Sequence, residues 1–204
     1  MPSPLPLSSQ TDTADNYAAI HEAVKACGVT LAASLPDDWM APLVNRLAAD
    51  PSITHVRVAR ESEAIAIASG AFFTGARSIA VMGATGLFTC TGELATLNLR
   101  HQIPVFLLVS ERGSLDDHRI YQEVQGRRLK PILDALDFPY FRIASPGDVA
   151  RLPEAYEWCR LQKRPVVAFL ARTLLKGKLK GKPVAAPAPT RADGGAGAER
   201  GSSR

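Results

Sequence analysis

Only three cysteines occur in 204 residues, and they stand far apart, at positions 27, 90 and 159. Neither a CxxC pair nor a Cys/His ligand spacing is present, which argues against a disulfide framework and against a zinc site. No apolar run approaches the length that crosses a bilayer. The opening stretch MPSPLPLSSQTDTADN lacks a basic region followed by an apolar segment, so it does not read as a secretory signal. A GxGxxG fingerprint and a P-loop lysine are also missing, and no internal repeat is visible. These absences point to a protein of the reducing cytoplasm with no membrane partner.

What is present is an ordinary globular mixture, 46% hydrophobic and 22% charged, in a chain long enough for one domain with a substantial core. The net charge of +4 suggests a basic protein, but its placement argues otherwise. Lys176, Lys178, Lys180 and Lys182 alternate with Leu and Gly just ahead of a tail rich in Ala, Pro, Gly and Ser. That pattern reads as a solvated extension rather than a nucleic-acid surface. Residues 1–14, rich in Pro, Ser and Thr, and residues 177–204 hold too little apolar material to pack and are expected to be disordered. Residues 15–176 form the expected folded unit.

Inside that unit, helical and extended signals alternate. Helices are expected over 16–27, 36–49, 60–74, 87–100, 127–136 and 146–161. Strands are expected over 29–35, 53–58, 78–82, 104–110, 140–143 and 165–171. Residues 83–86 are expected to turn and 111–126 to form a polar connection. Continuous apolar strands alternating with helices predict an α/β fold, a parallel sheet of about six strands covered by helices on both faces. Such sheets bind ligands outside the carboxyl ends of their strands. That rule selects the loops at 35–39, 59–62, 83–91 and 110–126.

Each loop has a local explanation and a functional one. Asp37 and Asp38, after the first strand, suit a helix N-cap as well as a site. Gly83-Ala84-Thr85-Gly86 suits a phosphate cradle or a close backbone approach. Arg112, in Ser110-Glu111-Arg112-Gly113, is a solvated loop residue or the binder of an anion through its planar fork. His101 reads as a surface or capping histidine. Glu61 and Glu63 open a helix, where acids suit the dipole. The helix they open is almost wholly apolar: residues 64–73 contain Ser69 as their one polar side chain. Such a helix is expected to be buried all round. An acid at its lip is expected to be partly desolvated, which suits proton transfer.

The run ARESEAIAIASGAFFTGARSIAVMGATGLFTCTGELATLNLRHQIPVFLLVSERG resembles the pyrimidine-binding domain of thiamine-diphosphate-dependent decarboxylases. The resemblance covers about residues 17–172. It rests on Arg60-Glu61 before an apolar helix with Gly70, LATLN at 94–98, IPV at 103–105, VSERG at 109–113, and LPDD at 35–38 as a short active-site loop. Within that family the likeness is greatest to sulfopyruvate decarboxylase alpha subunits, with phosphonopyruvate decarboxylases next.

The resemblance implies a role for each candidate. In the family a glutamate hydrogen-bonds the cofactor's aminopyrimidine ring nitrogen, and Glu61 is the matching position. Glu61, Gly83, Thr85 and Gly86 become the expected cofactor contacts, with Asp37 and Arg112 as substrate contacts. Glu63 becomes a helix-dipole or interface residue. The implied reaction is decarboxylation of a small anionic 2-oxo acid such as 3-sulfopyruvate. Decarboxylation or carboligation of another 2-oxo acid, and a non-catalytic binding or regulatory module on the same fold, stay open beside it. Two departures from the family pattern stand out. Gly83-Ala84-Thr85-Gly86 replaces the usual Gln-Asn-Ser-Gly, and the Gly-Asp-Gly motif with a later Asn, which holds magnesium and diphosphate, is absent. The implied partner is therefore a beta subunit carrying the diphosphate-binding domain with Mg2+, together with self-association through the pyrimidine-binding domain. Residues 63–73 and 83–97 are the expected interface.

Overall fold

Two packing demands shape the chain: strands buried on both faces, and helices that must each cover one of those faces. The computed structural model describes residues 8–177 except 36, 115, 116, 118 and 119; side chains are described from residue 13 onward, apart from that of residue 120. The elements run α1 (Ser8–Ala26), β1 (Leu31–Ser34), α2 (Ala41–Ala49), β2 (Thr54–Arg57), α3 (Glu61–Phe73), β3 (Ser78–Gly83) and α4 (Ala84–Thr89). There follow α5 (Thr91–Glu93), continuous with a π-helical turn (Leu94–Leu99), then β4 (Phe106–Ser110) and a 3-10 turn (Ile120–Gln122). The chain continues with α6 (Glu123–Ala135), β5 (Tyr140–Ile143), a second 3-10 turn (Pro146–Arg151), α7 (Leu152–Gln162), β6 (Val166–Leu170) and α8 (Arg172–Lys176).

Six strands form one sheet in the order β2-β1-β3-β4-β6-β5, every neighbouring pair parallel. The α/β fold expected from the alternation is the fold found. Strand side chains alternate between two buried clusters. Val81, Phe106, Leu108 and Leu170 face Ile20 of α1, Leu43 and Leu47 of α2, Tyr156 of α7 and Leu174 of α8. Met82, Leu107, Val109 and Phe169 face Ile65 of α3, Leu87 of α4, Leu94, and Leu129 and Leu133 of α6.

The chain leaves β1 through α2 on one face, reaches the edge at β2, and returns through α3 on the other face to β3. β1 and β3 are therefore neighbours at the point where the winding reverses. Open α/β sheets place their ligand crevice at the carboxyl ends of such a pair.

Several boundaries differ from expectation. α1 begins at Ser8 rather than at residue 16, so residues 8–14 are not outside the fold; the Arg46 side chain donates to the Ala14 carbonyl. Residues 1–7 and 178–204, where disorder is expected, lie outside the described residues. α2 begins at Ala41, because Asp37 folds its own backbone into a turn instead of capping the helix. Residues 83–86 do not turn: Gly83 is the last residue of β3 and Ala84 already belongs to α4. α6 begins at Glu123, four residues before the expected 127, and carries Pro131 within it.

The largest correction concerns α3. It is not buried all round. Ala64, Ile65, Ala68, Ser69 and Ala71 are buried, but Glu63, Ala66, Gly70 and Phe73 are exposed, and Phe73 is 72% exposed. Those four positions recur at helical spacing, so Ala66, Gly70 and Phe73 form an apolar stripe that the described residues leave uncovered.

Candidate active site

The residues singled out at the carboxyl ends of β1 and β3 come together. Gly83 ends β3, and a Cβ added to it would stand 2.6 Å from Asp37 Oδ2. Gly86 is the third residue of α4, and a Cβ there would stand 2.5 Å from Glu61 Cδ. Real Cβ contacts essentially never come so close. The two glycines leave room for two carboxylates to lie against the start of α4, which is the close backbone approach that a missing side chain permits.

The two acids of α3 divide their work. Glu63 Oε2 accepts hydrogen bonds from the amides of Ala59 at 2.8 Å and Arg60 at 3.2 Å. It therefore satisfies amides at the helix entrance, with its side chain exposed. Glu61 is half-buried, and among the described residues its carboxylate accepts no hydrogen bond. A half-buried acceptor without a protein donor suits a ligand that brings one.

Asp37 is held from two directions. Its Oδ1 accepts from the Trp39 amide at 2.8 Å. Its Oδ2 faces Gly83 and lies 4.0 Å from Arg112 Nη1. Arg112 is not a solvated loop residue; it is 3% exposed. Its guanidinium lies 3.9 Å from the Trp39 ring centroid and donates from Nε to Asp117 Oδ2 at 2.8 Å. Asp117 also accepts from the Gly113 amide. Arg112 thus ties the loop after β1 to the loop after β4. Its stacked, planar fork is suited to that task in a way lysine is not.

Thr85 is exposed and donates to Gln122 Oε1 at 3.0 Å, which links α4 to the turn before α6. His101 is exposed, away from these groups, as expected. Trp39, Asp117 and Gln122 were not singled out from sequence. Trp39 and Gln122 act by touching residues distant in the chain, and Asp117 by folding its own loop back onto Arg112 and Gly113, which nothing in the local pattern marks. The three thiols are free and buried; burial pushes Cys27 up to about 11 and Cys159 up to about 12. The described residues contain no group of three or more His, Cys, Asp or Glu placed to hold a metal ion. Nor is any described helix long and apolar enough to cross a membrane.

Residues 15–136 match the family described as "Thiamine pyrophosphate enzyme, N-terminal TPP binding domain". The chain belongs to that family. This thiamine pyrophosphate enzyme domain is 28% identical over 153 residues to the sulfopyruvate decarboxylase subunit alpha of Methanococcus maripaludis, covering 74% of this chain and 92% of that protein. It is 31% identical over 134 residues to the same subunit of Methanothermobacter thermautotrophicus, covering 66% and 81%. It is also 31% identical over 134 residues to a phosphonopyruvate decarboxylase of Streptomyces viridochromogenes, of which the match spans 33%. Among solved structures, the 2-oxoglutarate:ferredoxin oxidoreductase from Magnetococcus marinus superposes with a TM-score of 0.57 at 14% identity, covering 79% of this chain and 29% of that one. That likeness is one of fold.

The residues at the crevice fit the aminopyrimidine end of such a cofactor. The ring brings hydrogen-bond donors and an exchangeable nitrogen, and the unpartnered Glu61 carboxylate over Gly86 can meet them.

Proposed function

We propose that this chain is the pyrimidine-binding alpha subunit of a thiamine-diphosphate-dependent decarboxylase acting on a small anionic 2-oxo acid such as 3-sulfopyruvate, giving an aldehyde and carbon dioxide. The observation that carries the reading is Glu61, a half-buried carboxylate with no donor among the described residues, seated on Gly86 beside the reversal point of the sheet. The match of the sulfopyruvate decarboxylase alpha subunits over most of their own length supports the substrate class.

In this reading Glu61, Gly83, Thr85 and Gly86 hold the aminopyrimidine end. When bound, the cofactor supplies a nucleophilic carbon for the keto group and an electron sink for the departing carbon dioxide. Glu61 exchanges a proton with the ring nitrogen at its carboxylate oxygen. Burial of Ala64, Ile65 and Ala68 just behind it keeps water from that side of the carboxylate. Asp37, held by the Trp39 amide and faced by Arg112, meets the substrate from the opposite loop. Arg112 contributes positive charge there while remaining anchored on Asp117.

The diphosphate and its Mg2+ belong to a beta subunit, in keeping with relatives named as alpha subunits. The uncovered stripe of Ala66, Gly70 and Phe73 on α3 is where subunits meet, either that partner or a second copy of this chain. The same reading assigns to a subunit contact the open apolar groove lined by Phe88, Gly92, Ala95, Ile132 and Leu136. Interfaces of obligate complexes are more hydrophobic than ordinary surfaces. The complex works in the cytoplasm, where the three buried thiols stay reduced.

The test is Glu61→Gln in the reconstituted complex. Carbon dioxide release should fall by about two to four orders of magnitude, the scale of a positioned acid–base group. Near-normal turnover would remove Glu61 from the chemistry, and robust activity of this chain without any partner would remove the subunit reading.

A further inference from the structure

A second charge cluster lies at the same end of the sheet, on the face covered by α3, α4 and α6. Glu111 follows β4 and is 8% exposed. Its Oε1 accepts from Lys130 Nζ of α6 at 2.8 Å, and its Oε2 accepts from Arg142 Nε of β5. The sheet register explains the meeting. Val109 and Arg142 both pair with Phe169 of β6, and strand alternation puts Glu111 on their face. Lys130 Nζ stands 5.5 Å above the Phe169 ring.

Glu111 and Lys130 border a cavity of about 240 Å³, lined among others by Ala84, Arg112, Gln125 and Phe169, with Arg142 behind Glu111 and outside the lining. Ala84 belongs to α4, the helix that carries Gly86 against Glu61. Gln125 Oε1 is buried and has no hydrogen-bond partner among the described residues. A buried polar group left unpaired costs stability, so a group that pairs with it is favoured there. An amide turned through half a circle offers N–H instead of oxygen at nearly the same position.

Charge decides the kind of ligand. Arg112 is balanced by Asp117. Glu111 faces two cations, so its cluster carries one positive charge in excess, with Lys130 at the lining; Asp37, the second carboxylate near Arg112, lies outside the lining. Glu111 occupies one donor of Lys130 and one of Arg142, and an ammonium has three donors and a guanidinium five. The carboxylate therefore holds two cations in place without exhausting them. The volume is below the roughly 300–1,000 Å³ of pockets for drug-sized molecules, so the ligand is small.

We infer that this cavity is a subsite for the remote sulfonate or phosphonate group of a short 2-oxo acid, bound by Lys130 and Gln125, with Glu111 as the residue that positions Lys130 and Arg142 as the second cation that offsets the Glu111 charge from behind. The inference rests on the decarboxylase reading for the identity of the rest of the substrate, while the anion site stands on its own geometry.

Two measurements on the full chain, co-purified with its partner, separate these dependences. The first is titration calorimetry with sulfoacetate and, as a control, acetate. Wild type should bind sulfoacetate, acetate should bind at least about tenfold more weakly, and Lys130→Met should lose the preference while Lys130→Arg keeps it; tenfold is the scale of one hydrogen bond to a charged group. The second is the ratio of KM for 3-sulfopyruvate to KM for pyruvate, which should rise about tenfold in Lys130→Met. A purely structural ion triad would move both substrates together and leave that ratio unchanged. Sulfoacetate binding that is equal in wild type and Lys130→Met, or an unchanged KM ratio, overturns the subsite. Lys130-dependent sulfoacetate binding in a complex that decarboxylates neither substrate upholds the subsite and overturns the decarboxylase reading instead.

Discussion

Replacing Gly86 with alanine separates the stability of this fold from the working of its site. The added Cβ would stand 2.5 Å from Glu61 Cδ and must displace that side chain. Glu61 is flexible and half-buried, so it can rotate away; an off-rotamer torsion costs about 0.5–1.5 kcal/mol. Against this, alanine within a helix is favoured over glycine by about 1 kcal/mol. The two effects nearly cancel. A remainder of about 1 kcal/mol would shift the melting temperature of a domain of this size by roughly 2–4 °C. Catalysis has no such compensation, since about 1 Å of misplacement of a reacting group can cost on the order of 100-fold in rate. Gly86→Ala should therefore melt within about 4 °C of wild type and lose roughly 100-fold or more in carbon dioxide release. Gly147→Ala is the control, because its Cβ would meet nothing closer than Ser145 Oγ at 3.8 Å; its turnover should match wild type. Full turnover in Gly86→Ala would mean that Glu61 does not need its place on α4. A collapse in melting temperature would mean that the Cβ meets backbone rather than a mobile carboxylate.

Arg112→Met should destabilise the chain by about 3–5 kcal/mol in chemical denaturation, because it removes the guanidinium bonded to the Asp117 carboxylate, whose side chain is 2% exposed. An effect below about 1 kcal/mol, the ordinary value of an exposed ion pair, would show that Arg112 is not the tie between the two loops. Phe73→Glu should change the stability of the single chain by no more than about 0.5 kcal/mol, as for other surface positions. It should nonetheless shift the assembly to smaller species in sedimentation, and unchanged assembly would clear the α3 stripe of an interface role. Asp50 supplies a pH test. Hydrogen bonds from the Ser52 side chain and amide, with Lys25 nearby, lower its pKa from 3.8 to about 2. A carboxylate depressed in the folded state contributes stability above its unfolded pKa and loses it as pH falls. The advantage of wild type over Asp50→Asn should shrink from pH 5 to pH 2; a constant difference would show that Asp50 titrates alike in both states.

Much of this protein is legible without coordinates. Apolar runs such as PVFLLVS alternating with helical segments specify a doubly covered parallel sheet, because a strand buried on both faces has no need of alternating polarity. The loops worth inspecting follow from the rule that ligands gather at the carboxyl ends of such strands. Glu61 stands out as an acid at the head of an apolar helix, a local pattern that survives folding. The family resemblance, carried by Arg60-Glu61, LATLN and VSERG, is likewise a property of the linear chain.

Tertiary structure decided which of these residues do what. Glu61 and Glu63 are chemically identical and two positions apart, yet Glu63 accepts the amides of the helix entrance while Glu61 faces Gly86 with no donor among the described residues. Glu63 takes the local capping position of the helix, whereas the role of Glu61 is set by Gly86 of another element. Arg112 reads as a solvated loop residue until Trp39 and Asp117 close around it. Residues 83–86 read as a turn because glycine favours turns, whereas here their small size lets α4 start against two carboxylates. The apolar composition of α3 implied complete burial. The described residues cover only part of it, because the sheet shields one side of a helix and leaves the stripe from Ala66 to Phe73 exposed. The Glu111–Lys130–Arg142 cluster depends on three segments spaced along the chain and joined by β-sheet register, which composition and spacing alone do not encode.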